Sequence, residues 1–257
     1  MELKVIAYAR NGHTDKFGIP RQSRDDSPIL TRIVFEKDFA VREALRGIEG
    51  FSHLWLLWGF DKVQSDKVQS TKDGLSWSPT VRPPRLGGNK RMGVFATRSP
   101  FRPNPIGLSS VRLVKVLRDK VQSEKGSSLE LIVSGADLMD GTPIYDIKPY
   151  LEYCDCHPDA TNGFAEETKE HCLEVDWSMV KSRDSLDIVS TKSRYSLDVN
   201  LQKSRSLIAQ LTYILQQDPR PGYQDDPDRE YRLDFAGYTT TFVVKDQKIV
   251  VKNIDKH

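Results

Sequence analysis

A mainly β protein is the architecture this sequence predicts: a barrel-like N-terminal domain with one short helix, followed by a small α+β C-terminal domain. Three observations carry the expectation. Short apolar runs of strand length recur through the first 157 residues, many alternating or β-branched. Pro- and Gly-rich turns separate them where a doubly wound sheet would need long helices. A single helical stripe and three further strand-like runs then close the chain.

Taken in order, Leu3 to Arg10 alternates well enough to open a sheet, and Ile29 to Phe35 is β-branched and bounded by Pro28. Phe39 to Ile48 places Val41, Ala44, Leu45 and Ile48 at helical spacing with Gly50 just beyond, which predicts one short helix. Phe51 to Phe60 reads as a central strand. Further strands are expected at Met92 to Thr97, Leu108 to Leu117, Leu129 to Ser134 and Ile144 to Ile147. Asp159 to Leu201 is polar and reads as a connection with little core of its own, so the domains are expected at 1–157 and 203–257 with a repeat-bearing link at 158–202. Ser204 to Gln216 carries the stripe Leu207, Ile208, Leu211, Ile214, Leu215 and stops at Asp218-Pro219-Arg220-Pro221-Gly222. Tyr231 to Phe235, Tyr238 to Lys245 and Lys248 to Val251 form the closing sheet.

Short repeats interrupt this plan. Asp-Lys-Val-Gln-Ser begins at Asp61, Asp66 and Asp119, and Lys-Ser-Arg-x-Ser-Leu begins at Lys181 and Lys192 with a shortened copy at Lys203. Five-residue copies are too short to be supersecondary units, and the longer unit is filled with poor helix formers. They read as expansions of polar surface loops.

Composition narrows the class of protein. Hydrophobic residues make up 38% and charged residues 29%, ordinary for a globular protein. The longest apolar run, Leu54 to Phe60, is far short of the roughly 20 residues of a membrane-spanning helix. The opening residues lack the apolar region of a signal peptide, and Cys154, Cys156 and Cys172 cannot all pair, so a reducing, cytoplasmic setting is expected. Net charge is only +2, but from Gly74 to Arg118 there is no Asp or Glu. Arg82, Arg85, Lys90, Arg91, Arg98, Arg102, Arg112, Lys115 and Arg118 all lie inside that window, which suits either a phosphate-bearing partner or a solvated basic face.

No glycine-rich nucleotide fingerprint follows a strand, because Gly87-Gly88 stands alone and reads as a turn; no Walker loop or His-Glu-x-x-His is present. Cys154-Asp155-Cys156-His157 lacks a second pair of ligands, so no metal site is expected. His53, between Phe51 and Trp55 on an apolar strand, reads as a core histidine. One stretch stands out, Gly93-Val94-Phe95-Ala96-Thr97-Arg98-Ser99-Pro100-Phe101-Arg102-Pro103-Asn104-Pro105-Ile106-Gly107. Its prolines fix their own φ and restrict the preceding residues, which can hold Arg98 and Arg102 toward an anionic or polar ligand.

This run resembles the diagnostic motif of the TrmO family of tRNA N6-methyltransferases. Pro20-Arg21-Gln22, Gly50-Phe51-Ser52-His53-Leu54-Trp55, Pro79 to Asn89, and Asp140-Gly141-Thr142-Pro143-Ile144-Tyr145-Asp146-Ile147-Lys148-Pro149-Tyr150 resemble it in the same order. The resemblance covers most of residues 1–153, and Asp218-Pro219-Arg220-Pro221 resembles the start of the C-terminal portion of bacterial members. The repeat-bearing loops depart from the pattern.

The resemblance implies a homodimeric β-barrel methyltransferase outside the Rossmann class. It implies S-adenosylmethionine as cofactor and threonylcarbamoyladenosine beside the anticodon of threonine-accepting tRNAs as substrate. By position, the cofactor site would gather Arg21, Gln22, Ser23, Phe60, Asp61, Arg98, Leu108, Asp140, Gly141, Thr142 and Pro143. A carbamoylated N6 must lose its proton, and Asp140 and Asp146 are the carboxylates expected to serve, beside turn and orienting roles that also suit them. Arg82, Arg85, Lys90, Arg91 and Arg102 are the expected RNA contacts. The competing expectation is a non-catalytic S-adenosylmethionine- or RNA-binding regulator on the same barrel.

Overall fold

The computed structural model describes residues 2–60, 77–83, 90–118, 129–168, 172–180, 206–220 and 226–257. The repeats, except Ser206 and Leu207 at the end of the shortened copy, lie outside them, as do Asp61 and Arg85.

Six antiparallel strands close into a barrel: β1 (Ala7–Arg10), β2 (Leu30–Phe35), β3 (His53–Gly59), β6 (Ile106–Arg118), β7 (Leu129–Ser134) and β8 (Pro143–Pro149), in the order β1-β2-β7-β6-β3-β8. Closure leaves no open edge in this sheet. Alternation decides what faces inward: Ala7 and Ala9, Ile33, Leu54 with Leu56 and Trp58, Val111, Leu131 with Val133, and Ile144 form one apolar core. Two alanines on the shortest strand suit a crowded interior. On the outside of β7, Glu130 is buried but receives Arg32 Nε at 2.7 Å, so its charge is paired.

Two short strands, β4 (Thr80–Val81) and β5 (Met92–Gly93), pair within the long connection between β3 and β6. The expected strand Met92 to Thr97 therefore ends early and turns into a 3-10 turn at Val94–Ala96. Thr97 Oγ1 donates to Val94 O at 2.8 Å and stops it there. A second departure is the expected helix Phe39 to Ile48, which is instead three 3-10 turns at Lys37–Phe39, Arg42–Leu45 and Ile48–Gly50. Val41 is extended and Gly47 takes φ 86°, so no helix can run through either, and no side chain caps the turns.

After a one-turn helix α1 (Glu152–Asp155), the second unit packs helix α2 (Leu207–Gln216) on a four-stranded sheet β10-β11-β12-β9. Ser206 Oγ caps α2 by accepting from Ala209 N at 3.1 Å, and the stripe read from the sequence is its buried face. β10 (Tyr231–Phe235) and β11 (Tyr238–Lys245) match expectation, and β12 runs on to Lys256. β9 (Glu174–Asp176) lies in the stretch read as a connection. Leu173 and Trp177 beside it are buried, and its parallel pairing with β12 gives that stretch a share of this core.

The two units meet along residues 11–29. Ile29 belongs to the core of the second unit and Phe17 packs against it. Gly18, at φ +95°, lies where a Cβ would come within 2.1 Å of Leu233 Cδ1, so only glycine fits. His13 is 1% exposed and packs edge-on against Phe235, and its Nε2 has no hydrogen-bond partner among the described residues.

Burial pulls the His13 pKa down to about 4 from its ordinary 6.5. The folded protein thus keeps the ring neutral, whereas the unfolded chain takes up a proton as pH falls below 6.5; stability is lost between there and about 4. The loss over that window is of order 3 kcal/mol. Urea unfolding at pH 7 and pH 4.5 should show His13→Phe, which keeps the aromatic contact, losing clearly less than the wild type. Equal losses would mean that the ring does not report on this junction.

Candidate functional site

Strand direction gathers the site. β1, β3 and β7 end, and β2, β6 and β8 begin, at one end of the barrel. The segments 11–29, 60–105 and 135–142 therefore emerge together, and they hold the family-like pieces Pro20-Arg21-Gln22, Thr97 to Pro105 and Asp140-Gly141-Thr142. Expected site residues that are 76 positions apart, Gln22 and Arg98, meet there: Arg98 Nη1 donates to Gln22 Oε1.

The 20–28 segment is fastened at several points. Arg24 N donates to Gly135 O at 3.1 Å, and Tyr213 of α2 donates its hydroxyl to Asp26 at 3.4 Å. Asp25 accepts both prongs of Arg112 from the outer face of β6, with Nε at 2.6 Å, and its Oδ1 is 3.2 Å from His53 Nε2. Arg112 is the main reason that the Asp25 pKa is held down to about 2. His53 is thus a half-buried, partnered residue at the strand edge, and its other ring nitrogen lies 2.9 Å from Ser52 Oγ.

Of the other expected residues, Ser23 gives its backbone N–H to Asp137, while Arg21 turns toward the second unit and donates to Arg220 O at 3.3 Å. Phe60 follows β3, packs on Trp58 with ring centroids 4.2 Å apart, and donates its N–H to Pro105 O. Leu108 stands on the outer face of β6 and is 56% exposed, and Ile106 on the same face is 36% exposed. Asp140 is fixed by Asn11 N at 3.1 Å and Arg10 at 3.5 Å, and Gly141 N bonds Ala9 O, so the Asp140 to Pro143 turn is stitched to the end of β1. Asp146 sits down β8, paired with Lys148 at 2.7 Å.

The expected RNA contacts divide in two. Arg82, Lys90 and Arg91 are exposed. Arg102 instead turns inward and donates to Val94 O and Thr97 O at 3.2 and 2.9 Å, so it builds the loop that presents Arg98. Asp155, inside the cysteine cluster, accepts from the Trp55 indole and from Leu151 N, which makes that segment a cap on the barrel wall.

Sequence reasoning missed a hydrogen-bond chain under the site. Trp58 Nε1 donates to Ser109 Oγ at 2.9 Å, and Ser109 Oγ donates to Asp137 Oδ1. Gly107, opposite Trp58, leaves room for the indole: a Cβ there would fall 2.2 Å from Trp58 Cε2. Burial pushes the Asp137 carboxyl up, with the Ser109 hydrogen bond and the Arg98 charge opposing. A signal was available, because Ser109 is a polar residue at the inward parity shared with Val111.

Residues 8–156 match the tRNA-methyltransferase O N-terminal domain family, and residues 188–257 match the TrmO C-terminal domain family. A tRNA (adenine(37)-N6)-methyltransferase from Eikenella corrodens is 42% identical over 76% of this chain and 92% of its own length. One of the same name from Escherichia coli K12 is 37% identical, covering 87% of this chain and 83% of its own. The crystal structure of TrmO from Pseudomonas aeruginosa superposes with a TM-score of 0.68 at 29% identity, covering 99% of this chain and 98% of that one.

Proposed function

The chain belongs to the TrmO family of tRNA adenine-N6 methyltransferases, and from that premise we propose that it methylates N6 of threonylcarbamoyladenosine beside the anticodon, using S-adenosylmethionine at the loop-bearing end of the barrel. The observation that carries the site is the meeting of Arg98, Gln22, Ser23 and Asp137.

These residues fit the cofactor. It combines an aromatic base, an amino-acid end and a cationic sulfur, and the chain offers apolar Leu108 with Phe60 and donors on Arg98 and Gln22. When bound, S-adenosylmethionine supplies an electrophilic methyl group. Gln22, Ser23, Arg98, Leu108 and Phe60 would hold it, with the Asp140-Gly141-Thr142-Pro143 turn as a wall of the site. Arg21 and Asp61 extend the proposed set. What the chain itself does is position, because displacement at a sulfonium methyl needs alignment above all. The prolines and inward-turned Arg102 make Arg98's loop stiff, and the Asp25–Arg112 pair holds the opposing segment. We further propose a cytoplasmic homodimer. Among the described residues no helix is long and apolar enough to cross a membrane.

Arg82, Lys90 and Arg91 would meet the phosphates of the anticodon arm, with Arg85 continuing the same stretch. Phosphate contacts position the RNA, and the modified base selects the reaction.

Methyl transfer from labelled S-adenosylmethionine should occur to tRNA carrying the threonylcarbamoyl group and fail with tRNA lacking it. Absence of transfer to either, with S-adenosylhomocysteine still raising the melting temperature, would overturn catalysis in favour of a regulator. For the RNA, Lys90→Ala with Arg91→Ala should lower the salt dependence of tRNA binding, each lost contact reducing the log–log slope by about 0.7 to 0.9, with S-adenosylhomocysteine affinity unchanged. Parallel salt series of equal affinity would make the stretch a solvated face.

A further inference from the structure

We propose that Asp137 is the catalytic carboxylate that takes the N6 proton during methyl transfer, an assignment that rests on the function proposed above. The carboxylates around it are engaged by cations. Asp140 faces Arg10, Asp26 faces Arg24 at 3.1 Å, Asp25 is gripped by Arg112, and on β8 Asp146 faces Lys148. In each of these pairs a carboxylate oxygen is already taken up by the cation.

Asp137 is built differently. Its hydrogen-bond partners are neutral: the Ser109 hydroxyl from β6, the Ser23 N–H from the 20–28 segment, and its own backbone. Among the described residues, Arg98, from the loop after β5, is the charged group that acts on it, and it does so through space without an ion pair. The Ser109 hydroxyl is aimed, because its oxygen already accepts from the Trp58 indole and its proton is left for Asp137. The carboxylate is therefore oriented from inside the barrel, while its flanks are Ser23 and Arg98, which the proposed site places against the cofactor. Burial moves its proton affinity toward neutrality, where a general base is most effective.

The step balances. The N6–H bond breaks and its proton passes to the Asp137 carboxylate, while the nitrogen electron pair forms the new bond to the methyl carbon. The carbon–sulfur bond breaks with its electrons staying on sulfur, and the protonated Asp137 later returns its proton to solvent. No oxidant or reductant is needed.

Asp137→Asn keeps an acceptor for Ser109 and Ser23 and removes the base. It should lower kcat on threonylcarbamoyl-bearing tRNA by about 10²-fold or more, with titrations of S-adenosylhomocysteine and of tRNA giving wild-type Kd values. A near-wild-type kcat would overturn the assignment. So would a loss of S-adenosylhomocysteine affinity matching the loss of rate, which would make Asp137 a binding group. Ser109→Ala supplies a second test that retains the carboxylate. Loss of a donor to the charged form should move the acidic limb of the kcat–pH profile to higher pH, and an unmoved limb would contradict the assignment. If the wild type transfers no methyl group, the functional reading fails and takes this assignment with it; if the wild type transfers and Asp137→Asn transfers equally, only the assignment fails.

Discussion

Closure of the six-stranded barrel is the constraint on which the rest depends. An antiparallel barrel must send every second connection to the same end. Here that end receives 11–29, 60–105 and 135–142, while the 3-10 turns between β2 and β3 go to the other. A site assembled from segments far apart in sequence follows from topology before any side chain is considered. The interior then fixes the finer geometry. Gly107 lets Trp58 lie across β6, Trp58 orients Ser109, and Ser109 orients Asp137. A buried polar chain of this kind is tolerable because each hydroxyl and indole proton finds an acceptor.

The second unit shapes the same end. Its helix and sheet pack against parts of 11–29, taking Ile29 into their core and contacting Phe17, while Tyr213 reaches Asp26 and Arg220 receives Arg21. The segment that carries Gln22 and Ser23 is thereby fixed from both sides, by the barrel through Gly135 and Arg112 and by α2 through Tyr213. Packing at Gly18 and His13 makes this junction apolar and intolerant of added volume or charge.

Much of the barrel was legible because its strands are half-buried and alternate. β2, β3, β6 and β7 fall where periodicity puts them, within a few residues. Phe39 to Ile48 misled because its apolar spacing fits a helix, although Gly47 and extended Val41 break the run. β9 was hidden by its length, since three residues in a polar stretch carry no period, and its pairing with β12 is a long-range event. At the site, Arg98 and Gln22 were readable from the resemblance, and the inward turn of Arg102 was not, because a carbonyl partner leaves no mark on the sequence. Asp137 and Ser109 were missed for the related reason that their meaning lies in a hydrogen bond between β6 and the segment after β7.

The chemistry follows from that geometry: a stiff loop offers Arg98, a clamped segment offers Gln22 and Ser23, and a carboxylate oriented from the core faces them. In the proposed function, ligand and catalysis belong to this one end of the barrel. Hydrogen exchange of the backbone amides with and without S-adenosylhomocysteine tests it most directly. Bound S-adenosylhomocysteine should add protection within 20–28, 94–108 and 135–142, and none in 36–52 at the opposite end. Protection confined to 36–52 or to β10–β12 would contradict it.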